Sequence, residues 1–435
     1  MSLRGLMGVL LVATLPATSL DAQRLSATDR AELVARLWSE ARYNFAAWDH
    51  VRADWDSALG ATLRAAAQPQ TDFAFWRRLR RLAALLGDVQ IAVVPPAALR
   101  SRLARPPLAL TSVEQRPLLV DYAENDEMRV ARPERLAEIV AVQGIRAEDW
   151  IRDSILPEVG GARPTIRWQR AVADMLAGER GTSLHLILKL PGGEERGMSV
   201  TRSVSLNDRW PLDGTPLDVD TLPDGVVVVH VRSFGTRDVV EQFDRAFPTF
   251  TGLKGLILDL RRATGGRTAQ AYEILARLTA QPFSGVLQRT PIYRPAVPAV
   301  SGQPTEPGIS WDAFPIDTVP PRRDRPSYGG PIAVLSSEAT LGAAEDFLIA
   351  FRNTGRGVII GDTSAGSPGE VLERPLIKDW MLRLPVVREA FPDGTDVTGA
   401  GVAPELPVEE RVDDLLAGRD AALERARSYL AVQRD

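Results

Sequence analysis

Residues 331–369 spell one βαβ step: an apolar strand (residues 331–335), a short loop, a helix opening at Gly342, and a second strand (residues 357–361) closed by Asp362-Thr363-Ser364-Ala365-Gly366. Two strands joined through a helix run parallel, and parallel strands are covered on both faces, so the segment commits the chain to a layered α/β core. The same alternation runs upstream, with a strand at 226–231, a helix at 239–247, a strand at 255–260 and a helix at 269–278. This predicts a parallel sheet with right-handed crossovers. The start of the helix after a strand is where an enzyme of this architecture places a nucleophile, and here the position is Gly342.

The chain has 435 residues, enough for two or three domains, and 45% of them are hydrophobic. Its formal net charge is -4, with both signs interspersed, so no basic stripe points to nucleic acid. Residues 1–22 carry Arg4, an apolar run over residues 6–15, Pro16 and a small residue at Ala22, the pattern of a secretory signal peptide; an uncleaved anchor is the other reading. A secreted or periplasmic bacterial protein follows. Cysteine is absent, which excludes disulfides, a thiol nucleophile and cysteine metal sites. Histidine is confined to His50, His185 and His230, and lysine to Lys189, Lys254 and Lys378. No metal or cofactor is expected.

Ahead of the core, residues 25–100 read as a helical module. Apolar residues recur at helical spacing (Leu33, Leu37, Ala41, Phe45; Phe73, Trp76, Leu79, Leu82), with Asp54 and Thr71 near helix starts. Its Trp and Phe side chains are expected to pack as core. A strand over residues 89–94 stops at Pro95-Pro96. Residues 112–206 alternate in short runs, a β-rich module with one or two helices, and the core occupies 218–435. Within the core, the proline-rich stretch 281–330 is too long for a plain connector and is expected to be a structured excursion. Residues 413–432 read as one amphipathic helix.

Four segments carry candidate chemistry. Asp259-Leu260-Arg261-Arg262-Ala263-Thr264-Gly265-Gly266 ends a buried strand, and its paired glycines suit either an oxyanion hole or a plain turn with positive φ. In Thr340-Leu341-Gly342-Ala343-Ala344-Glu345, Gly342 as N-cap puts Glu345 at N3, where it can bond back to the Gly342 N–H. A serine there would be both cap and nucleophile, beside the free N–H of Ala343 and the positive helix end. Glycine serves as a cap at a cost of only a few tenths of a kcal/mol (about 0.3), but acyl transfer requires the hydroxyl. The others, Leu86-Gly87-Asp88-Val89-Gln90 and the stretch from Asp393 through Thr398 to Glu405, read separately as turns beside strands.

In this order and spacing the four segments resemble the tail-specific, or C-terminal-processing, serine peptidases, most closely their tricorn-core-like branch. Members have a helical N-terminal part ending in L-x-D-G-H, a PDZ-like module, and a crotonase-like (ClpP-type) ββα core with D-L-R-x-N-x-G-G, T-x-S-A-x-E, G-R-x-x-x-x-G-x-x-T and a late E-G-x-G-V-x-P-D. The matching residues are Leu86 and Asp88; Asp259, Leu260, Arg261, Gly265 and Gly266; Thr340, Ala343 and Glu345; Gly355, Arg356, Gly361 and Thr363; and Gly401, Val402 and Pro404. The resemblance implies a serine-type peptidase acting on polypeptides or peptide C-termini, an oxyanion site at Gly265, Gly266 and Ala343, and structural roles for Asp88 and Glu345. A homo-oligomer is compatible with it.

The departures fall on the chemistry. Gly342 stands at the nucleophile position, Gln90 at the base position and Thr398 at the acid position; Ala263 replaces the motif asparagine. An amide cannot take the serine proton. The other branch pairs serine with a downstream lysine, where this chain has Ser367. Ser336, Ser337 and Thr340 are expected to point away from the helix start, His230 to be satisfied within its strand, and His50 and His185 to lie in other modules. The sequence therefore reads as a pseudo-peptidase that binds polypeptide. Its rivals are an active peptidase with a non-standard nucleophile and a crotonase-like acyl-chemistry enzyme, for which no coenzyme-binding segment is seen.

Overall fold

The computed structural model describes residues 25–208, 215–250, 252–293, 309–324, 326–369 and 371–433. The proposed signal segment, residues 1–22, lies outside them. The structure is mixed α/β, as the alternation predicts. It opens with three helices, α1 (Ala27–Asn44), α2 (Trp55–Ala67) and α3 (Asp72–Ala84), followed by the short strand β1 (Ala92–Val94). Ser26, Asp54 and Thr71 cap the helices by accepting from the backbone N–H of Asp29, Ser57 and Ala74. The strand expected over residues 89–94 is shorter, because residues 89–91 turn to bring Asp88 and Gln90 toward the core.

The next unit is an antiparallel sheet ordered β2 (Leu108–Val113), β3 (Arg116–Tyr122), β4 (Glu138–Val142), then, after helix α4 (Pro164–Asp174), β5 (Ser183–Lys189) and β6 (Glu195–Thr201). Val142, Leu184, Leu186, Leu188, Met198 and Val200 line one face and close a core with Ala171 and Val172 of α4.

The main sheet has six strands. Its first strand, β7 (Leu217–Thr221), runs antiparallel to β8 (Val226–Val231), and after helix α5 (Asp238–Ala246) the strand β9 (Gly255–Asp259) lies parallel to β8. Helix α6 (Thr268–Leu275) leads through the excursion to β10 (Ile332–Ser336), helix α7 (Ala343–Thr354) and β11 (Gly357–Gly361). The excursion contains strands Phe283–Ser284, Leu287–Tyr293, Ile309–Ala313 and Thr318–Val319. Next come β12 (Val371–Pro375), β13 (Met381–Pro385) and the edge strand β14 (Leu406–Pro407), giving the order β7-β8-β9-β10-β11-β14 with every pairing after the first parallel.

The apolar runs are continuous because both faces are covered. Val227, Val229, Leu256, Leu258, Ile332 and Val334 face α5, α6 and α7, while Val226, Val228, Ile257, Ala333 and Leu335 face the C-terminal helix α8 (Ala421–Val432). The single helix expected over residues 413–432 is two: Val412–Leu416 stops at Gly418, which takes φ +68°, and Asp420 caps a new start by accepting from the Leu423 N–H. A residue in the left-handed region ends a helix, and the capping aspartate begins the next.

The helical module does not close its own core. Trp380, Leu382 and Leu384, on and beside β13, fill it against Phe75 and Leu79, and β13 also pairs with β1. Within the main core Phe347 stacks on Phe234 and Phe351, with centroids 6.2 and 6.1 Å away, and is 1% exposed. We expect Phe347→Ala to lower the unfolding free energy by about 3–5 kcal/mol, read from denaturant titration.

Candidate functional site

The parallel strands deliver their carboxyl ends to one crevice, the place where open α/β sheets hold ligands. The loop 260–267 follows β9, the start of α7 follows β10, and residues 362–369 follow β11. Gly342 is the N-cap of α7, with φ 61° and ψ -132°. Residues with side chains populate that region sparsely, at a cost of about 1–3 kcal/mol, and glycine adopts it without strain. A Cβ built on Gly342 would lie 3.3 Å from Gly265 Cα, 3.5 Å from Gln90 Oε1 and 3.5 Å from the Gly369 carbonyl oxygen. Any side chain there would enter the gap between Gln90 and the glycine pair.

That pair is fixed by backbone pairing. Phe234 N–H donates to the Gly265 carbonyl (2.8 Å) and Arg267 N–H to the Phe234 carbonyl (3.0 Å). Gly266 takes φ +135°, and a Cβ on it would sit 2.2 Å from the Phe234 carbonyl carbon, so only glycine fits. The N–H groups of Gly265, Gly266 and Ala343 find no acceptor among the described residues. They are donors of the kind an oxyanion or carboxylate would take up.

Beneath Gly342 lies a polar network. Glu345 Oε2 accepts from the Gly342 N–H (3.3 Å), forming the expected half of a capping box, and from the Ser367 N–H (2.9 Å). Its Oε1 accepts from Ser364 Oγ (2.6 Å) and the Gly366 N–H (2.7 Å). Burial pushes the Glu345 carboxyl up to about 7 in spite of these donors. Gln90 Nε2 donates to the Ser367 carbonyl (2.7 Å) and to Ser367 Oγ (3.2 Å), and the Gln90 N–H donates to Asp88 Oδ1 (2.7 Å). Ser367 Oγ in turn donates to Asp88 at 2.8 and 3.0 Å, and burial raises that carboxyl above its ordinary range.

The structure thus gathers Gly342, Gln90, Gly265, Gly266, Ala343, Glu345 and Asp88. It does not join Thr398 to Gln90 by a hydrogen bond; Thr398 Oγ1 donates to the Glu389 carbonyl (3.4 Å) and lines a cleft of about 1110 Å³ beside Asp88 and Gly366. The other hydroxyls near the helix start are committed elsewhere: Ser336 to the Asp362 carbonyl, Ser337 to the Arg261 carbonyl and Thr340 to the Leu260 carbonyl. Ser336 is the last residue of β10, not part of a loop.

His230 is held between carboxylates, with Nδ1 3.2 Å from Asp259 Oδ2 and Nε2 3.3 Å from Asp220 Oδ2, and the hydrogen bond it donates to Asp259 raises its pKa. His50 lies in the helical module, as expected, and that module brings it to line the same cleft as Thr398. A Cβ on Gly399 would be 3.1 Å from its Nδ1, and its Nε2 accepts from Arg388 (2.8 Å). Burial and the Arg388 charge push its pKa down, so it is neutral at pH 7. No local sequence signal could place this histidine, the last residue of the short helical turn Trp48–His50, beside residues 398–400.

A second buried acid pair also escaped sequence reasoning. Asp346 and Glu389 face one another behind Gly369, where burial and the Glu389 charge raise the Asp346 carboxyl far above its usual range. Gln288 Nε2 donates to Glu389 Oε1 (2.7 Å) and Thr268 to Asp346. Two acids inside an otherwise apolar run, Glu345 and Asp346, were the available signal. Among the described residues no cluster of three or more His, Asp or Glu could hold a metal.

These acids set a pH dependence. The Glu345 pKa rises on folding, so between about 4.5 and 7 the native state keeps a proton that the unfolded chain has released. Stability is full below that window and falls as pH rises through it, by about 3 kcal/mol for Glu345 alone. We expect urea unfolding at about pH 5 and about pH 8 to show the higher stability in acid, and Glu345→Gln to shrink the difference.

Residues 225–408 match the family model described as Peptidase family S41. A carboxy-terminal-processing protease of Bartonella bacilliformis is 26% identical over 171 residues, 39% of this chain; the match spans about a third (35%) of that protein's length. Among solved structures, mature CPAF complexed with lactacystin superposes with a TM-score of 0.71 at 14% identity, covering 93% of this chain and 98% of the other. Mature CPAF alone gives 0.70 at 15% identity, over 93% and 96%. At such identities the superpositions establish a shared fold.

Proposed function

With its core, residues 225–408, belonging to peptidase family S41, we propose that this protein is a pseudo-peptidase of the tail-specific branch, one that binds polypeptide chains without efficient hydrolysis. One observation carries this: the residue whose side chain would stand between Gln90 and the free N–H groups of Gly265, Gly266 and Ala343 is Gly342. In this reading Gly342 occupies the nucleophile position, Gln90 the base position and Thr398 the acid position. The three N–H groups form an oxyanion site that now receives a carbonyl or carboxylate. Glu345 and Asp88 hold the surrounding loops. The core is crotonase-like, the sheet β2 to β6 with α4 is PDZ-like, and residues 1–22 direct the chain beyond the inner membrane of a bacterium. No described helix is long and apolar enough to cross a membrane.

Chemically, a glycine has no lone pair to attack a carbonyl, and the Gln90 amide cannot accept a proton at neutral pH. Ser367, the hydroxyl nearest to Gln90 by hydrogen bonding, is 3% exposed and donates to Asp88. Removing the nucleophile of a serine protease costs on the order of a million-fold in turnover and leaves roughly a thousand-fold over water.

The test is hydrolysis of an unfolded polypeptide such as casein by the purified protein, beside the double variant Gly342→Ser with Gln90→His. We expect the unmodified protein to stay near the residual level and the double variant to exceed it, by about tenfold or more, once the hydroxyl and imidazole meet at the helix start. Rapid cleavage by the unmodified protein, abolished by Ser367→Ala, would assign an unexpected nucleophile and end the pseudo-peptidase reading.

A further inference from the structure

The cleft of about 1110 Å³ adjoining the site is built mainly by the helical module. Its walls are small and apolar, including Ala58, Ala61 and Ala65 of α2 and Leu82 of α3 with Leu85 beyond it. Leu85 is 41% exposed, an uncovered apolar side chain at the cleft wall. At its inner end the cleft reaches Asp88, Gly366 and Thr398, and Asp88 accepts from the Gln90 N–H (2.7 Å), so this end lies next to the segment that carries Gln90.

Its charge is unlike that of the chain as a whole, whose formal net charge is -4. Arg52, Arg78 and Arg167 line it, and none of the three has a carboxylate partner among the described residues. Arg78 Nε donates to the neutral Gln70 Oε1 (2.8 Å), and Arg167 donates to the carbonyls of Val159 (3.2 Å) and Leu156 (2.9 Å). Arg81 also lines the cleft, and its partner Glu158 is already shared with Arg77 and Arg80. Against these stand two acidic lining residues: Asp88, which is buried, and Asp396, which is paired with Arg388 and Arg289.

An apolar trough edged by uncompensated guanidiniums is complementary to a chain segment that alternates small apolar side chains with carboxylates. The geometry points to an acidic polypeptide segment as the occupant, its apolar side chains against α2 and α3, its Asp and Glu side chains on Arg52, Arg78 and Arg167, and its backbone running on toward Gly342. This rests on the reading that the protein binds polypeptide, and names the class it selects. The guanidiniums sit on separate elements (the loop before α2, α3 and α4), so they suit several carboxylates along a segment better than a single chain-terminal one.

The experiment is fluorescence anisotropy of the full protein with labelled peptides that interleave Glu with Ala and Leu, compared with the same peptides carrying Gln or Lys in place of Glu, each with a free or an amidated C-terminus. Incubated samples are checked by mass spectrometry for cleavage. Expected results are binding of the Glu peptide that weakens with added salt, about tenfold weaker binding of the Gln peptide, none of the Lys peptide, and indifference to amidation. Arg52→Ala with Arg78→Ala should weaken the Glu peptide by roughly tenfold and leave the Gln peptide unchanged, while Ala61→Trp should block both by filling the trough. Circular dichroism melts of both variants separate lost binding from lost folding.

Equal affinity for Glu and Gln peptides would overturn the inference and leave the polypeptide-binding reading standing. So would dependence on the free C-terminus alone, or an acidic preference that survives both variants. Cleavage of the bound peptide would instead overturn the pseudo-peptidase reading and leave the acidic selectivity in place. Failure to bind any peptide would remove both.

Discussion

The Glu345 carboxylate accepts from the N–H groups of Gly342, Gly366 and Ser367 and from the Ser364 hydroxyl where water does not reach, and the site keeps its shape through these four bonds. A buried carboxyl is costly to leave without partners, so the loop after β11 must fold back onto the start of α7 to supply them. Ser364 carries the constraint further, because its oxygen also accepts from the Val402 N–H (2.7 Å) and so brings residues 398–402 against the same loop. The late segment, the helix start and the β11 loop thus converge on one side chain. That Glu345 sits at N3 of α7 is what lets a single residue serve as helix cap and as anchor.

Other modules are fastened to this frame. Arg163, just ahead of α4, donates to the carbonyls of Thr363, Ser364 and Ala400, and Ile166 packs on Val89 and Ala365. Gly160 runs so close to Asp88 that a Cβ there would lie 2.3 Å from its carbonyl oxygen. The β-rich unit and the segment bearing Gln90 therefore meet at the rim of the crevice. A displacement of α4 would be felt at Gln90 through these contacts.

Much of the scaffold could be read from the chain. Asp54 and Thr71 announced their helices because capping is a local exchange between a side chain and the N–H three residues on. The apolar strands of the main sheet were legible for a similar reason, since burial on both faces leaves an unbroken run. Long-range pairings left no such mark. Nothing near Trp380, Leu382 or Leu384 says that they complete the core around Phe75 and Leu79, and nothing near His50 says that it meets Gly399. The break at Gly418 was locally visible but hidden by an apolar period that continues across it.

By itself the sequence determined that a helix would open at Gly342, that Glu345 would reach back to its N–H, and that neither a hydroxyl at 342 nor an imidazole at 90 would be present. These follow from residue identity and from neighbours three or four positions away. Only the tertiary structure decided that Gln90, from a separate module, would stand 3.5 Å from where a side chain on Gly342 would begin, and that Ser367 would spend its proton on Asp88. It alone also decided that α2 and α3 would leave an arginine-edged trough ending at Asp88, Gly366 and Thr398. The reason is that these juxtapositions are set by how covered faces pack together, and packing joins residues hundreds of positions apart without requiring any pattern between them.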